Sequence, residues 1–77
     1  MNYIQKFRKH YNIGEQDIIK CGMCGGIAVD IHHIKYRSQG GTDDIDNLIA
    51  LCRRHHELAH AKKITTEELK LNSKKPL

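Results

Sequence analysis

Seventy-seven residues bound the chain to one small domain. With 39% hydrophobic residues, three Tyr, one Phe and no Trp, a large apolar core is excluded. No run approaches the ~20 apolar residues of a membrane span, and the N-terminus lacks the apolar segment of a secretory signal, so a membrane partner is not expected and the cytoplasm is the expected compartment. A formal net charge of +4 and a pI of about 9.1 suit a polyanion such as nucleic acid, and three cysteines cannot close a paired disulfide framework.

In chain order, Tyr3, Ile4, Phe7 and Tyr11 fall at helical spacing with basic residues between them, predicting a helix over 3–11 capped by Asn2. Such a helix packs on a domain more often than its Lys6, Arg8 and Lys9 touch DNA. Ile18-Ile19-Lys20 is too short to classify. Cys21 to Gly26 is a glycine-rich knuckle, and alternation with β-branching predicts a strand from Ile27 to Ile34. Gln39 to Asp44 is a polar loop, and Leu48 to Leu51 a second short strand. Cys52 to Lys63 is expected as a helix with Leu58 and Ala61 inward and basic residues in the last turn. Thr65-Thr66-Glu67-Glu68 is a capping box opening a last helix at about 66–72, and the polar tail from Asn72 to Leu77 is expected to fray. The organisation expected is a single domain over 1–77.

A core this small calls for a staple, and six His with three Cys make a metal the first to consider. Cys21 and Cys24 form one pair two residues apart, Cys52 and His55 another. Zinc takes four such donors in a tetrahedron, and this spacing lets a single turn present two of them. Four protein ligands leave no position for a substrate, which assigns this site to structure. Free thiols or a redox pair are the alternatives, but a redox CxxC would want a thioredoxin-like context that is absent.

Four further histidines form a second set. His56 and His60 are four apart on the expected helix and share a face. His55 and His56 lie about 100° apart around it, so each can serve a different ion. His32, His56 and His60 would make an open metal triad, leaving positions for water and phosphate. His33 would stay unligated, and an imidazole, titrating near about 6.5 when unperturbed, suits a general base. His32 and His33 adjoin on a strand, where neighbours point to opposite faces, so both can serve one centre only if the strand ends there. Taken one by one, these would be ordinary surface histidines, as His10 is expected to be.

The run Asp30-Ile31-His32-His33-Ile34, Gly40-Gly41, Asp46-Asn47-Leu48, Leu51 to His56 and His60 resembles the HNH endonuclease motif, and Cys21 and Cys24 ahead of it resemble the zinc-containing branch. The resemblance covers residues 21–60. It implies an α+β fold, a small ββα-metal domain of two antiparallel strands, a long loop and a helix, with a structural zinc site and flanking short helices. His33 then matches the base, His32 and His56 metal ligands, His60 a further histidine ligand, and Asn47 the middle Asn that holds the loop backbone and so the base. Asp30 matches an acidic position expected to orient a ligand from behind. His55 stands where the branch usually has cysteine, so a Cys3His site is expected.

The implied chemistry is hydrolysis of DNA phosphodiester bonds with one divalent metal (Mg, Mn, Ni or Zn), giving 5′-phosphate and 3′-hydroxyl ends. Imidazole ligands favour a transition metal over Mg. Lys35, Arg37, Arg53 and Arg54 flank the motif as candidate contacts to the DNA backbone, or as solvated surface charge. Two other readings remain at this point: a zinc-stapled DNA-binding module without catalysis, and a structural zinc domain docked on larger phage or bacterial machinery.

Overall fold

The computed structural model describes residues 2–73. Helix α1 spans Tyr3–His10. Asn2 caps it: its side chain accepts from the Gln5 backbone N–H at 2.8 Å, and the Gln5 side chain accepts from the Asn2 N–H at 3.1 Å. Tyr11, expected inside the helix, is its C-cap. Phe7 is the residue of α1 that is buried, and Arg8 donates to the carbonyls of Gly14 and Asp17, closing the turn that follows. Arg8 Nη1 is thereby tied to that turn.

The knuckle forms where the glycines place it. Gly25 N–H bonds to Cys21 O at 2.8 Å, Cys21 N–H to Gly26 O at 2.6 Å, and Gly25 takes a φ of +77°, which glycine accepts without strain. The strand expected over Ile27 to Ile34 is shorter. Strand β1 is Asp30–His33. Ile27 bridges to Lys20 and Ala28 N–H bonds to Ile19 O, so the first residues of the expected strand close the knuckle arm instead. Past His33 the chain turns away, and Ile34 N–H bonds to Asn47 O.

Strand β2 is Leu48–Leu51, antiparallel to β1 with His32 opposite Ile49 and His33 opposite Leu48. All four residues of β2 are buried, because the two-stranded sheet is covered on both faces. Ile31, Leu48 and Ala50 pack with Phe7 of α1 and Ile19; Ile49, Leu51 and Ile34 pack with Cys21, Ala59, Ile64 and Leu69. A pair this short needs such cover, since an isolated hairpin is marginal in water.

Helix α2 is Arg53–His60, shorter at both ends than the expected 52–63. Cys52 is the N-cap, Ala61 the C-cap, and Lys62 takes a φ of +58°, which ends the helix. Ala61, expected inward, is exposed; Ala59 is the buried residue, with Leu58 partly buried against the same cluster. Helix α3 is Thr66–Ser73. Glu68 N–H donates to Thr65 Oγ1 at 3.1 Å and Thr65 N–H to Glu68 Oε1 at 3.3 Å, the capping box legible in the sequence. Asn72 and Ser73, expected to fray, are helical, and Ser73 O accepts from Tyr11 OH at 3.3 Å; the rest of the expected tail lies outside the described residues. The two strands, the long connection and α2 form the ββα arrangement, with α1 and α3 as flanking helices. Among the described residues no helix is long and apolar enough to cross a membrane.

The connection from β1 to β2 carries 3-10 turns at Arg37–Gln39 and Ile45–Asn47. Between them Gly41 N–H bonds to Tyr36 O at 2.9 Å. A Cβ on Gly41 would collide with the Lys35 carbonyl and stand 2.9 Å from Tyr36 O. Both obstacles are backbone and cannot swing aside. We expect Gly41→Ala to cost about 1–3 kcal/mol, as overpacking does. Chemical denaturation compared with wild type measures it, and unchanged stability would mean that the loop is less fixed than its hydrogen bonds imply.

Candidate active site

Cys21 and Cys24 come from the knuckle, Cys52 and His55 from the cap and first turn of α2. The fold brings these four together. Cys52 Sγ lies 3.2 Å from His55 Nδ1, Cys21 Sγ 3.8 Å from the same nitrogen, and Cys24 Sγ 3.8 Å from Cys52 Sγ; all four donors lie within 4.8 Å of one another. Bonds of about 2.3 Å to sulfur and about 2.0–2.1 Å to nitrogen, at tetrahedral angles, give donor–donor edges of roughly 3.5–3.8 Å. The spacing thus fits a zinc-sized ion. It does not fit a disulfide, which needs sulfurs about 2.05 Å apart. Burial resists a thiolate at Cys21, but N–H donors of Cys52, Met23 and Cys24 outweigh it and lower its pKa. A lowered thiol pKa favours the form that binds metal.

His32, His56 and His60 form a second cluster, again with donor atoms within 4.8 Å of one another. His56 and His60 present Nε2 atoms 3.0 Å apart, as residues one helical turn apart should. The His32 ring lies 5.5 Å from that of His56 and 5.4 Å from that of His60. Burial, and then the neighbouring His56 and His60, push the His32 pKa down to about 4. It is therefore neutral at pH 7, with a lone pair available to a cation. Tyr36 packs its edge against His32 at 5.7 Å and stacks on His60 at 6.2 Å.

Asp30 Oδ2 is 3.2 Å from His56 Nε2, the nitrogen that also faces His60. The carboxylate expected behind the ligand thus lies at the edge of the cluster itself. Its ion pair is an alternative to metal for that nitrogen.

His33 stands apart from the triad. Strand alternation holds to the end of β1, so His32 faces α2 while the His33 ring packs on Tyr3 of α1 at 4.6 Å. Its Nε2 lies 2.8 Å from Asp43 Oδ1. Arg37 grips the same carboxylate, with Nη2 2.7 and 2.8 Å from its two oxygens and Nε 3.1 Å from Oδ1. The guanidinium also lies 5.5 Å from the centre of the Tyr3 ring. The hydrogen bond from His33, and then that from Arg37, hold the Asp43 carboxyl below the usual carboxylate range.

Asn47 stitches the loop that carries these groups. Its Oδ1 accepts from Lys35 N–H at 2.8 Å, and its Nδ2 donates to Thr42 O at 2.7 Å and to Lys35 O at 3.1 Å. Of the basic residues singled out in the sequence, Arg37 is occupied by Asp43 and Arg53 pairs loosely with exposed Glu57 at 3.5 Å. Lys35 and Arg54 have no ion pair among the described residues. Asp43, Tyr3 and Tyr36 are contacts that sequence reasoning missed. No local spacing announces them: Asp43 is ten residues beyond His33 and Tyr3 thirty before it.

The sequence model of the family described as HNH endonuclease matches residues 21–62, more than half the chain. Over 31 residues the chain is 52% identical to "Probable mobile endonuclease C" of Enterobacteria phage T4. That stretch is 40% of this chain and 15% of the relative, so the likeness spans a small part of the longer protein. No solved structure matches the chain.

The two clusters should respond differently to loss of a ligand. An ion held by the Cys3His cluster would be released by Cys24→Ser, and with it most of the thermal stability, because binding and folding are one equilibrium in a domain this small. His56→Ala should empty the triad and leave the fold. Metal content and melting curves of the two variants test this; an unchanged melting curve for Cys24→Ser would contradict a structural role.

Proposed function

The chain belongs to the HNH endonuclease family, and from that premise we propose that it is a metal-dependent endonuclease that hydrolyses DNA phosphodiester bonds with His33 as general base. The observation that carries the proposal is the division among adjacent histidines. His32 joins His56 and His60 in a compact donor set, while His33, the next residue, stays outside it with its ring held by Asp43 and Tyr3.

The donor set fits a divalent transition metal: three imidazoles, one of them buried and neutral, with a carboxylate alongside. Such an ion, held by His32, His56 and His60, would supply stabilisation of the charge that builds on the phosphate and on the departing oxygen. Mn, Ni and Zn suit the donors better than Mg, and the Cys3His cluster is assigned to structural zinc.

His33 then takes a proton from water. The water oxygen forms the new bond to phosphorus, and the bond from phosphorus to the 3′ oxygen breaks on the opposite side. The 3′ oxygen leaves with the electron pair and collects a proton from solvent, giving 3′-hydroxyl and 5′-phosphate ends. His32 and His33 lie on opposite faces, so the substrate must cross the end of β1 rather than lie on one face. The outer edge of β1 leading to that end has no partner strand among the described residues. Asn47 keeps the loop, and with it Asp43, in register with His33. Lys35, Arg53 and Arg54 are the groups assigned to phosphates along the DNA backbone.

Plasmid cleavage across Mg, Mn, Ni and Zn, with a chelator control, is the direct assay. We expect His33→Ala to lose roughly 10²–10⁴-fold in cleavage rate, the usual size of a general-base contribution, while DNA binding and the melting curve stay at wild-type values. An alanine variant that cuts as fast as wild type would remove His33 from the mechanism. Binding without cleavage under every metal would favour a DNA-binding module.

A further inference from the structure

Imidazole can act as a base only through the nitrogen that lacks a proton, so a histidine base needs its tautomer fixed. His33 makes one strong polar contact, from Nε2 to Asp43 at 2.8 Å. An ionised carboxylate accepts hydrogen bonds and cannot donate them, so the neutral ring must carry its proton on Nε2. Among the described residues Nδ1 has no hydrogen-bond partner. The carboxylate is itself held by Arg37 through three short contacts to both oxygens. Tyr3 fixes the cluster from the other side, touching the His33 ring at 4.6 Å and lying under the guanidinium at 5.5 Å.

We propose that Asp43 and Arg37 are positioning residues for His33: Arg37 aims Asp43, and Asp43 keeps the proton on Nε2 so that Nδ1 presents the lone pair. The inference rests on the reading of His33 as the base. It changes the standing of Arg37. Beside a nuclease motif an arginine reads first as a phosphate contact, yet the Nε and Nη2 edge of this guanidinium is engaged by a carboxylate. A bidentate arginine–carboxylate pair is specific in direction as well as charge, which a lysine at position 37 could not reproduce. Its three parts come from different places in the chain. Tyr3 is on α1, His33 ends β1, and Arg37 with Asp43 lies in the connection that Gly41 and Asn47 hold tight. The connection thus has a job beyond linking two strands.

Three measurements on the metal-loaded chain test this. First, long-range proton–nitrogen NMR spectra of the imidazole rings, taken about two pH units above the ordinary histidine pKa of about 6.5, report the tautomer without any need for activity. We expect the Nε2–H form at His33; the Nδ1–H form would overturn the proposal. Second, Asp43→Asn should lower kcat by roughly 10–100-fold, by analogy with the range for partners that orient a metal-bound imidazole, with KM for DNA unchanged. A variant as fast as wild type or faster would mean that Asp43 merely occupies His33, and would overturn it.

Third, Arg37→Gln should lower kcat in the same sense and leave the salt dependence of DNA binding unchanged. An arginine on a phosphate would instead take about 0.9 from the slope of log affinity against log salt. Loss of that slope with kcat intact would return Arg37 to the DNA contacts. The premise has its own failure mode: if His33→Ala cuts normally, the base is elsewhere, whatever tautomer His33 shows.

Discussion

Side chains alternate across a strand, and β1 is four residues long, so Asp30 and His32 go to one face of the sheet and Ile31 and His33 to the other. The rest of the molecule is arranged around that division. One face receives α2, whose turn spacing adds His56 and His60 to His32. The other receives α1 and the connection between the strands, which add Tyr3, Arg37 and Asp43 to His33. A slip of one residue in the pairing of β1 with β2 would exchange the two histidines and dismantle both sites at once. Register is held by the buried residues on both faces of β2, where Leu48 and Ala50 pack toward Phe7 while Ile49 and Leu51 pack toward Ala59 and Leu69.

That core is too thin to hold the arrangement alone. Its fully buried large side chains are Phe7, Leu48, Ile49 and Leu51, and α1, α2 and α3 are eight residues each. Helices of that length do not persist in water without tertiary support. With an ion bound, the Cys3His cluster would supply a tie where it is needed most, between the knuckle and the first turn of α2. Fixing that turn also fixes the phase of the helix. His55 is aimed at the cysteines, so His56, about 100° further round, is aimed at β1. In this way an ion that takes no part in the chemistry would set the direction of a ligand that does.

How much of this was legible in the sequence depended on distance along the chain. Donor pairs at i and i+3 or i and i+4 declare themselves, because one turn of backbone dictates which side chains meet. Cys21 with Cys24, Cys52 with His55, and His56 with His60 are legible that way, as are the caps at Asn2 and Thr65. Joining the two cysteine pairs relied on zinc's demand for four donors rather than on local geometry. Strand ends are less legible: Ile27 and Ala28 carry the β pattern, yet their backbone partners are Lys20 and Ile19 of the knuckle arm, and only from Val29, whose N–H bonds to Leu51 O, does the chain turn to β2. On α2 the helical face expected of Leu58 and Ala61 holds for Leu58 and fails for Ala61, because the helix stops at His60 and Ala59 fills the core. Asp43 was invisible for a different reason. It sits in a polar Gly-rich loop whose composition says only that the chain reverses, not which carboxylate the reversal delivers to His33.

That loop explains why the site can be built in so few residues. A catalytic group on a mobile loop loses in orientation what it gains in access, and small misplacements are costly. Here the connection between strands is pinned at several points. Asn47 bonds the backbone at Lys35 and Thr42, Gly41 lies against the Lys35 and Tyr36 carbonyls with no room for a side chain, and Arg37 reaches across to Asp43. Each pin uses a backbone group or an exposed charge, and none draws on the hydrophobic core. A short chain with little apolar surface to spend can therefore still hold an imidazole at a fixed angle, provided the polar contacts close on one another. The cluster of Tyr3, His33, Arg37 and Asp43 closes in that way: each member is held by at least one other, and among the described residues the Nδ1 of His33 is left without a hydrogen-bond partner.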